Sequence, residues 1–310
     1  MTAWAVTARA SAARLLGRHC SDRHRSAVTT RASADRQDGT MPSRTPRRDA
    51  SAALPELAAA VVPQWERVAG AVADLPDGAF AAPSVLPGWT VAELVMHVGR
   101  SATALSLALA PFAADGPVAA PAPAPRLVSA VDYLTGTGAR AEAIADTARA
   151  LAAQIDPAGM RERLAGEVSA AAAALARVTD GDPVVATPGG PMLLTEFLRT
   201  RAVEAVVHGL DLGVEPLRPA LKAVTRLFAE LFVHRVPGRT VELRVPPFAA
   251  VQVVEGPRHT RGTPPNVVEA GPVAFVLLCA GRLAWGDAVA DGRISASGER
   301  ADLSGYLPLL

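Results

Sequence analysis

Lysine is almost missing from this chain: Lys222 stands alone against 30 arginines in 310 residues. Together with the many Ala, Gly and Pro residues, the imbalance reads as the codon bias of a GC-rich genome, not as arginine-based recognition. Net charge is nearly absent as well. The formal value is +1, so no global field draws the chain to nucleic acid or to a membrane surface. Cysteine is scarce: Cys20 and Cys279 are the two, and no C-x-x-C pair exists, which excludes a disulfide framework. Cys279 falls in the apolar run 273–280 and reads as a buried small hydrophobe. A reducing, cytoplasmic setting is expected. No apolar run reaches the roughly 18–20 residues of a membrane span. Positions 101–114 come closest, but Pro111 cuts them short, and a core helix is the better reading. No internal repeat is visible.

What is present is a large apolar fraction, 50% of residues, enough for a substantial core and, by length, for two domains. The first fifty residues stand apart, with ten Arg, four Asp, and neither Glu nor Lys. No apolar h-region follows the N-terminus, so a secretory signal is not expected. Met41 begins a stretch that reads like a natural start. Residues 1–50 are therefore expected to be a disordered or over-extended N-terminal segment outside the fold.

From Leu54 the pattern turns helical. Leu57, Val61, Val62, Trp65, Val68 and Val72 recur at steps of mostly three and four. Leu75-Pro76-Asp77-Gly78 marks a turn. Thr90 and Glu93 then form a T-x-x-E capping box that opens a helix through His97 toward Leu109. The Pro/Ala-rich stretch 117–125 reads as a surface connector. Residues 127–154 and 158–178 read as two Ala-rich helices parted at Asp156-Pro157. A turn-rich loop follows, with strand potential at Val184-Val185, and another helix runs from Thr195 to about Gly209. Such helices, joined by short links, suggest a bundle over 51–214. Residues 215–310 change character: a helix from Leu221 to Val236, alternation at Val241, Leu243 and Val245, a second strand near Val251–Val254, an apolar helix at 271–280, a short strand at 293–298 and a terminal helix at 301–309. That composition is α+β.

Six histidines are available to chemistry. His19 and His24 lie in the N-terminal segment, His234 sits late in a helix where solvent and the helix dipole suit it, and His259 is in a loop. His97 and His208 remain. Glu204 and His208 are four apart on one helix, so they project from one face, a workable bite for a metal ion. His97 would add a third ligand from a second helix. A His₂Glu set leaves one position open, the catalytic pattern for zinc. Asp211 could orient His208 from behind, and Arg201 could do the same for Glu204 or hold an anion. On spacing alone, E-x-x-x-H also describes an exposed helical pair, and His97 a partly buried structural histidine.

The run Leu86-Pro87-Gly88-Trp89-Thr90 through His97 resembles the first signature of the mycothiol-dependent maleylpyruvate isomerase family, within the wider DinB-like metal-binding bundles. Arg199 through Leu212 is similar to the second signature, R-x-x-E-x-x-x-H-x-x-D. Gly271–Leu283, Gly292-Arg293, Ser297-Gly298 and Leu307-Pro308-Leu309 resemble that family's sterol-carrier-like second domain. The resemblance implies an α-helical DinB-like four-helix bundle followed by a smaller α+β sterol-carrier-like domain. It implies a divalent metal, zinc first, on His97, Glu204 and His208, and mycothiol as the thiol cofactor. The implied chemistry is addition of a metal-activated thiolate to a small acidic or electrophilic substrate, as a cis–trans isomerase or an S-transferase. Arg201 and Arg282 are the catalytic candidates, as holders of an acidic ligand, and Asp211 is the supporting residue. Nucleic acid and membrane are not expected partners; a monomer or homodimer is. Two other readings stay open: an apolar-ligand-binding module with a structural metal, and a metal-dependent hydrolase.

Overall fold

The computed structural model describes residues 50–112, 126–256 and 265–310. The expected N-terminal extension, apart from Ala50, lies outside these residues, as do the 117–125 connector and His259.

The first part is helical. In chain order it comprises α1 (Ala50–Ala73), the single turn α2 (Asp77–Phe80), α3 (Val91–Leu109), α4 (Ala130–Thr135), α5 (Ala141–Ala152), α6 (Pro157–Ala176), the hairpin β1 (Val184–Thr187) and β2 (Gly190–Leu193), and α7 (Leu194–Asp211). The four long helices α1, α3, α6 and α7 pack on one another as a bundle. Trp65, Leu94, Leu105, Leu164, Phe197 and Leu198 are fully buried between them. α7 is the central helix. It touches α1, α3 and α4, and its buried residues fall on almost every face. A helix packed on all sides shows little amphipathic period, which is why apolar spacing marks it less clearly than α1.

The second part begins with α8 (Arg218–Arg235), which packs on α1 and α7 on one side and on the C-terminal elements on the other. These are β3 (Val241–Val245), β4 (Ala249–Val253), β5 (Val267–Ala270), α9 (Pro272–Cys279), α10 (Trp285–Ala290) and β6 (Ile294–Ser297). The sheet order is β4-β3-β5-β6. β3 runs antiparallel to β4, with Leu243 opposite Val251, and parallel to β5, with Leu243 opposite Val268. Val241, Leu243 and Val245 are buried while Glu242 and Arg244 are half-buried, the period of two that their alternation predicts. The architecture is a mostly helical first part with a smaller α+β second part.

Three expectations need correction. Residues 127–154 are not one helix: Gly136 and Gly138 divide them into α4, a 3₁₀ turn and α5. Residues 301–309 form no helix beyond the 3₁₀ turn Ser304–Tyr306. Gly305 weakens a helix there and Pro308 ends it, while the Leu309 amide donates to the Cys279 carbonyl instead. β5 and α10 fall where no regular element is expected, because four and six residues are too short to show a period. Cys279 is buried and unpaired, as expected. Among the described residues, no helix is long and apolar enough to cross a membrane.

Candidate metal centre

The first candidate ligand is placed by a turn and a cap. Pro87 and Gly88 occupy the middle of a turn closed by the Trp89 amide donating to the Leu86 carbonyl at 3.1 Å. Gly88 has φ +77°, the left-handed value this turn demands after proline. Thr90 then caps α3. Its amide donates to Glu93 Oε2 at 2.6 Å, and the Glu93 amide donates to Thr90 Oγ1 at 3.3 Å. With the helix start fixed, His97 lies two turns in. The same turn brings the Trp89 ring edge-on to His97, centroids 5.7 Å apart. On α7, Gly209 follows His208. A Cβ there would meet Val68 and Gln64 of α1 at 3.2–3.3 Å, so the missing side chain lets the two helices close.

α3 and α7 bring His97, Glu204 and His208 together. Their ligating atoms all lie within 4.8 Å of one another. His97 Nε2 is 3.0 Å and His208 Nε2 3.3 Å from Glu204 Oε2, and the imidazoles stand almost perpendicular, centroids 4.7 Å apart. A tetrahedral ion with ligand bonds of about 2.1 Å has ligand–ligand edges of about 3.4 Å, so these two contacts have the right length. His208 Nδ1 is 2.9 Å from Asp211 Oδ2. Asp211 is fully sequestered and takes two further bonds from Arg282, Nε to Oδ1 at 2.9 Å and Nη2 to Oδ2 at 3.1 Å.

That chain of contacts fixes the protonation of the site. A carboxylate behind Nδ1 holds the proton there, so neutral His208 turns a lone pair from Nε2 toward Glu204 Oε2. Two acceptors at 3.3 Å repel unless a cation lies between them. Without an ion the cation is a proton. Burial opposes a charge on His208, but bonds to Asp211 and Glu204 outweigh it and push its pKa up to about 9. Burial would likewise raise Glu204 and Asp211, yet hydrogen bonds from the histidines prevail. Glu204 is held well below the ordinary carboxylate range, with help from the charge of Arg201, and Asp211 is lowered too, with Arg282 contributing. The donor set of two imidazoles and a carboxylate, backed by an orienting carboxylate, fits a divalent transition metal.

A cavity of about 590 Å³ opens on this cluster. His97, Glu204 and His208 line it, each with 13–19% of its side chain exposed, so a ligand can reach them. Trp89, Leu134, Ile144 and Val203 form apolar walls, and Ala280, Arg282 and Arg235 enter from the C-terminal part. Arg201 is not in the lining. It is buried between Phe197 and Tyr133, donates to Ser101 Oγ at 3.1 Å, and approaches Glu204 Oε1 only to 3.9 Å. Arg282 does line the cavity, with its guanidinium on Asp211 and on the Ala280 carbonyl.

Comparison with known proteins bears on the family and the fold. Residues 61–213 match the family model of the mycothiol maleylpyruvate isomerase N-terminal domain, and residues 217–309 match that of a bacterial sterol-carrier-protein ortholog. The chain belongs to the mycothiol-dependent maleylpyruvate isomerase family. Among solved structures it is similar to the crystal structure of a mycothiol-dependent maleylpyruvate isomerase, with TM-score 0.55 and 20% identity over 81% of this chain and 94% of that one. A His-to-Ala mutant of that isomerase gives the same TM-score at 19% identity. At such identity the likeness speaks for the fold. No curated protein matches the chain significantly.

Within this member of the isomerase family, sequence reasoning found the triad and Asp211 but passed over Trp89, Ile144 and Arg235. Trp89 could have been found from the Pro-Gly turn that aims it. Arg235 was overshadowed by its neighbour His234, which is exposed as expected. Nothing in the spacing of Ile144 sets it apart from other alanine-helix residues.

Proposed function

We propose that His97, Glu204 and His208 hold a divalent metal, zinc in the first instance, and that the protein uses mycothiol to attack a small electrophilic substrate as a cis–trans isomerase or S-transferase. The observation that carries this reading is the pair of facing acceptors, His208 Nε2 and Glu204 Oε2, at 3.3 Å with Asp211 behind the ring. The bound ion would supply a positive charge that favours thiolate over thiol at neutral pH. The chain's own residues do the rest. Asp211 holds the His208 tautomer, and Arg282 holds Asp211. Hydrogen bonds from His208 and His97 keep Glu204 ionised against burial, and Arg201 adds its charge from the buried side. Trp89, edge-on to His97, and the apolar lining set hydrocarbon beside the ligands. Cys279 is buried and far too reluctant to ionise to be the nucleophile, which suits an external thiol. A cytoplasmic setting, where a small thiol stays reduced, completes the reading.

The test is metal content by mass spectrometry of the purified wild type and His208→Ala, with mycothiol titrated calorimetrically into each. Near-stoichiometric zinc in the wild type, lost in the variant, and thiol binding that follows the metal are the expected results. Metal without thiol affinity would leave a structural ion in a binding module, and turnover indifferent to thiol would leave a hydrolase.

A further inference from the structure

We propose that Arg235 is the anion anchor of the cavity, and that the electrophile is an apolar molecule carrying a single anionic group, not a compact dicarboxylate. The inference rests on the thiol-enzyme reading for its chemistry, but its own content is which molecules the cavity selects.

Three arginines surround the cluster, and their surroundings differ. Arg201 lies behind Glu204, outside the cavity lining, with its donors on Ser101, Thr200 and Tyr133. Arg282 lines the cavity, but Nε and Nη2 are on Asp211 and Nη1 donates to the Ala280 carbonyl at 2.6 Å. Pulling it toward a ligand would strip Asp211, a sequestered carboxylate, of its partner, and an unpaired buried charge is costly. Arg235 is different. It lines the same cavity from the last turn of α8, is exposed, and has no hydrogen-bond or ion-pair partner among the described residues. It sits where the helix C-terminus favours a cation, so the charge is held by the fold and is free for a ligand. One uncommitted guanidinium suits one carboxylate or similar anion, which it can take with two parallel bonds.

The remaining walls select for apolar bulk. Leu86, Trp89, Leu134, Ile144, Val203 and Val207 line the cavity, and the hydroxyls of Thr135 and Thr137, also in the lining, are taken up by backbone carbonyls. A ligand with one end at the triad and its anion on Arg235 passes its body along these side chains, whose burial favours hydrocarbon and disfavours a second charge. Glu142, on α5, also lines the cavity without an ion-pair partner among the described residues, and its charge repels a second anion. The cavity holds about 590 Å³, which the thiol and the electrophile would share.

The test uses full-length, zinc-loaded protein and three probes of matched apolar body: 4-phenylbutyrate, 4-phenylbutyramide and benzylsuccinate. Calorimetry is run on the wild type, Arg235→Gln and Arg235→Lys, with zinc content confirming that each variant holds its site. In the wild type, phenylbutyrate should bind about five- to tenfold tighter than its amide, and benzylsuccinate no tighter than phenylbutyrate. Arg235→Gln should erase the preference for the acid over the amide and leave the amide unchanged, and Arg235→Lys should restore part of it. An unchanged acid-to-amide ratio in Arg235→Gln overturns the anchor. Benzylsuccinate binding tenfold tighter than phenylbutyrate overturns the single-anion class. A separate mycothiol titration of the same samples keeps the two readings apart, because loss of thiol affinity sinks the enzyme chemistry while the probe series still decides the role of Arg235.

Discussion

The cavity has two unlike walls. The α7 wall is buried along its length, and each charged group on it that faces the cluster has a partner: Glu204 has His97, His208 and Arg201, and Asp211 has His208 and Arg282. The α5 wall buries only Ala145 and Ala148, shows Glu142 to solvent, and hangs from a join containing Gly136 and Gly138. One wall is pre-organised and the other adaptable. The contrast matches a division of labour: ligands for an ion must be held to within about half an ångström, whereas a wall for an apolar body need only be apolar.

The largest effect expected on this division comes from His208→Ala. It should abolish stoichiometric zinc binding, while Ile144→Ala on the α5 wall should leave zinc content at the wild-type value. Parallel metal analysis decides the matter, and zinc lost from both variants would erase the distinction between the walls. Asp211→Asn is the next step down. It keeps the shape but weakens the hold on the His208 tautomer, so zinc affinity should fall about 10- to 100-fold in a competition with a chromogenic chelator. Affinity unchanged within twofold would show that Asp211 supports the link to Arg282 alone.

Acidity probes the same wall more gently. In the ion-free protein the His208 pKa is raised from 6.5 to about 9, and zinc must displace that proton. Apparent zinc affinity should therefore fall as pH drops below about 9, by up to tenfold per unit from this one group. The stability of the ion-free fold should run the other way. Because the folded-state value lies above the ordinary one, the stabilisation from protonated His208 is complete below about pH 6.5 and is lost as pH rises through about 9. Chelator competition at several pH values, with urea unfolding of the ion-free protein, measures both slopes.

The pre-organised wall was also the legible one. His97, Glu204 and His208 could be read because helix geometry converts a spacing of four into one face and because Thr90 and Glu93 announce where α3 begins. The adaptable wall could not. Residues 127–154 carry Ala and Leu at helical steps, and the two glycines that interrupt them cost a helix only about 1 kcal/mol each, too little to overrule the pattern on paper. The sheet was half legible for a similar reason. β3 alternates cleanly over five residues, whereas β5 has four, and its parallel pairing with β3 is a long-range event that no local pattern records. Arg235 was hidden by the limits of a sequence, which shows a charge but not whether its neighbours leave it unpaired.

The smallest predicted effect tests whether the α5 wall gains from being loose. Gly138 lies in the 3₁₀ turn between α4 and α5, its φ is not left-handed, and a Cβ there would meet nothing within 4 Å. Gly138→Ala should therefore be tolerated, and by narrowing the unfolded ensemble it should stabilise the protein by about 0.4–1 kcal/mol. A melting temperature raised by roughly 1–4 °C at unchanged zinc content is the expected reading. The informative quantity is then the affinity for phenylbutyrate. If the wall must shift to admit an apolar body, stiffening its hinge weakens binding even as the fold gains stability. If affinity is unchanged, the wall is as pre-formed as α7, and the contrast between them reduces to one of charge.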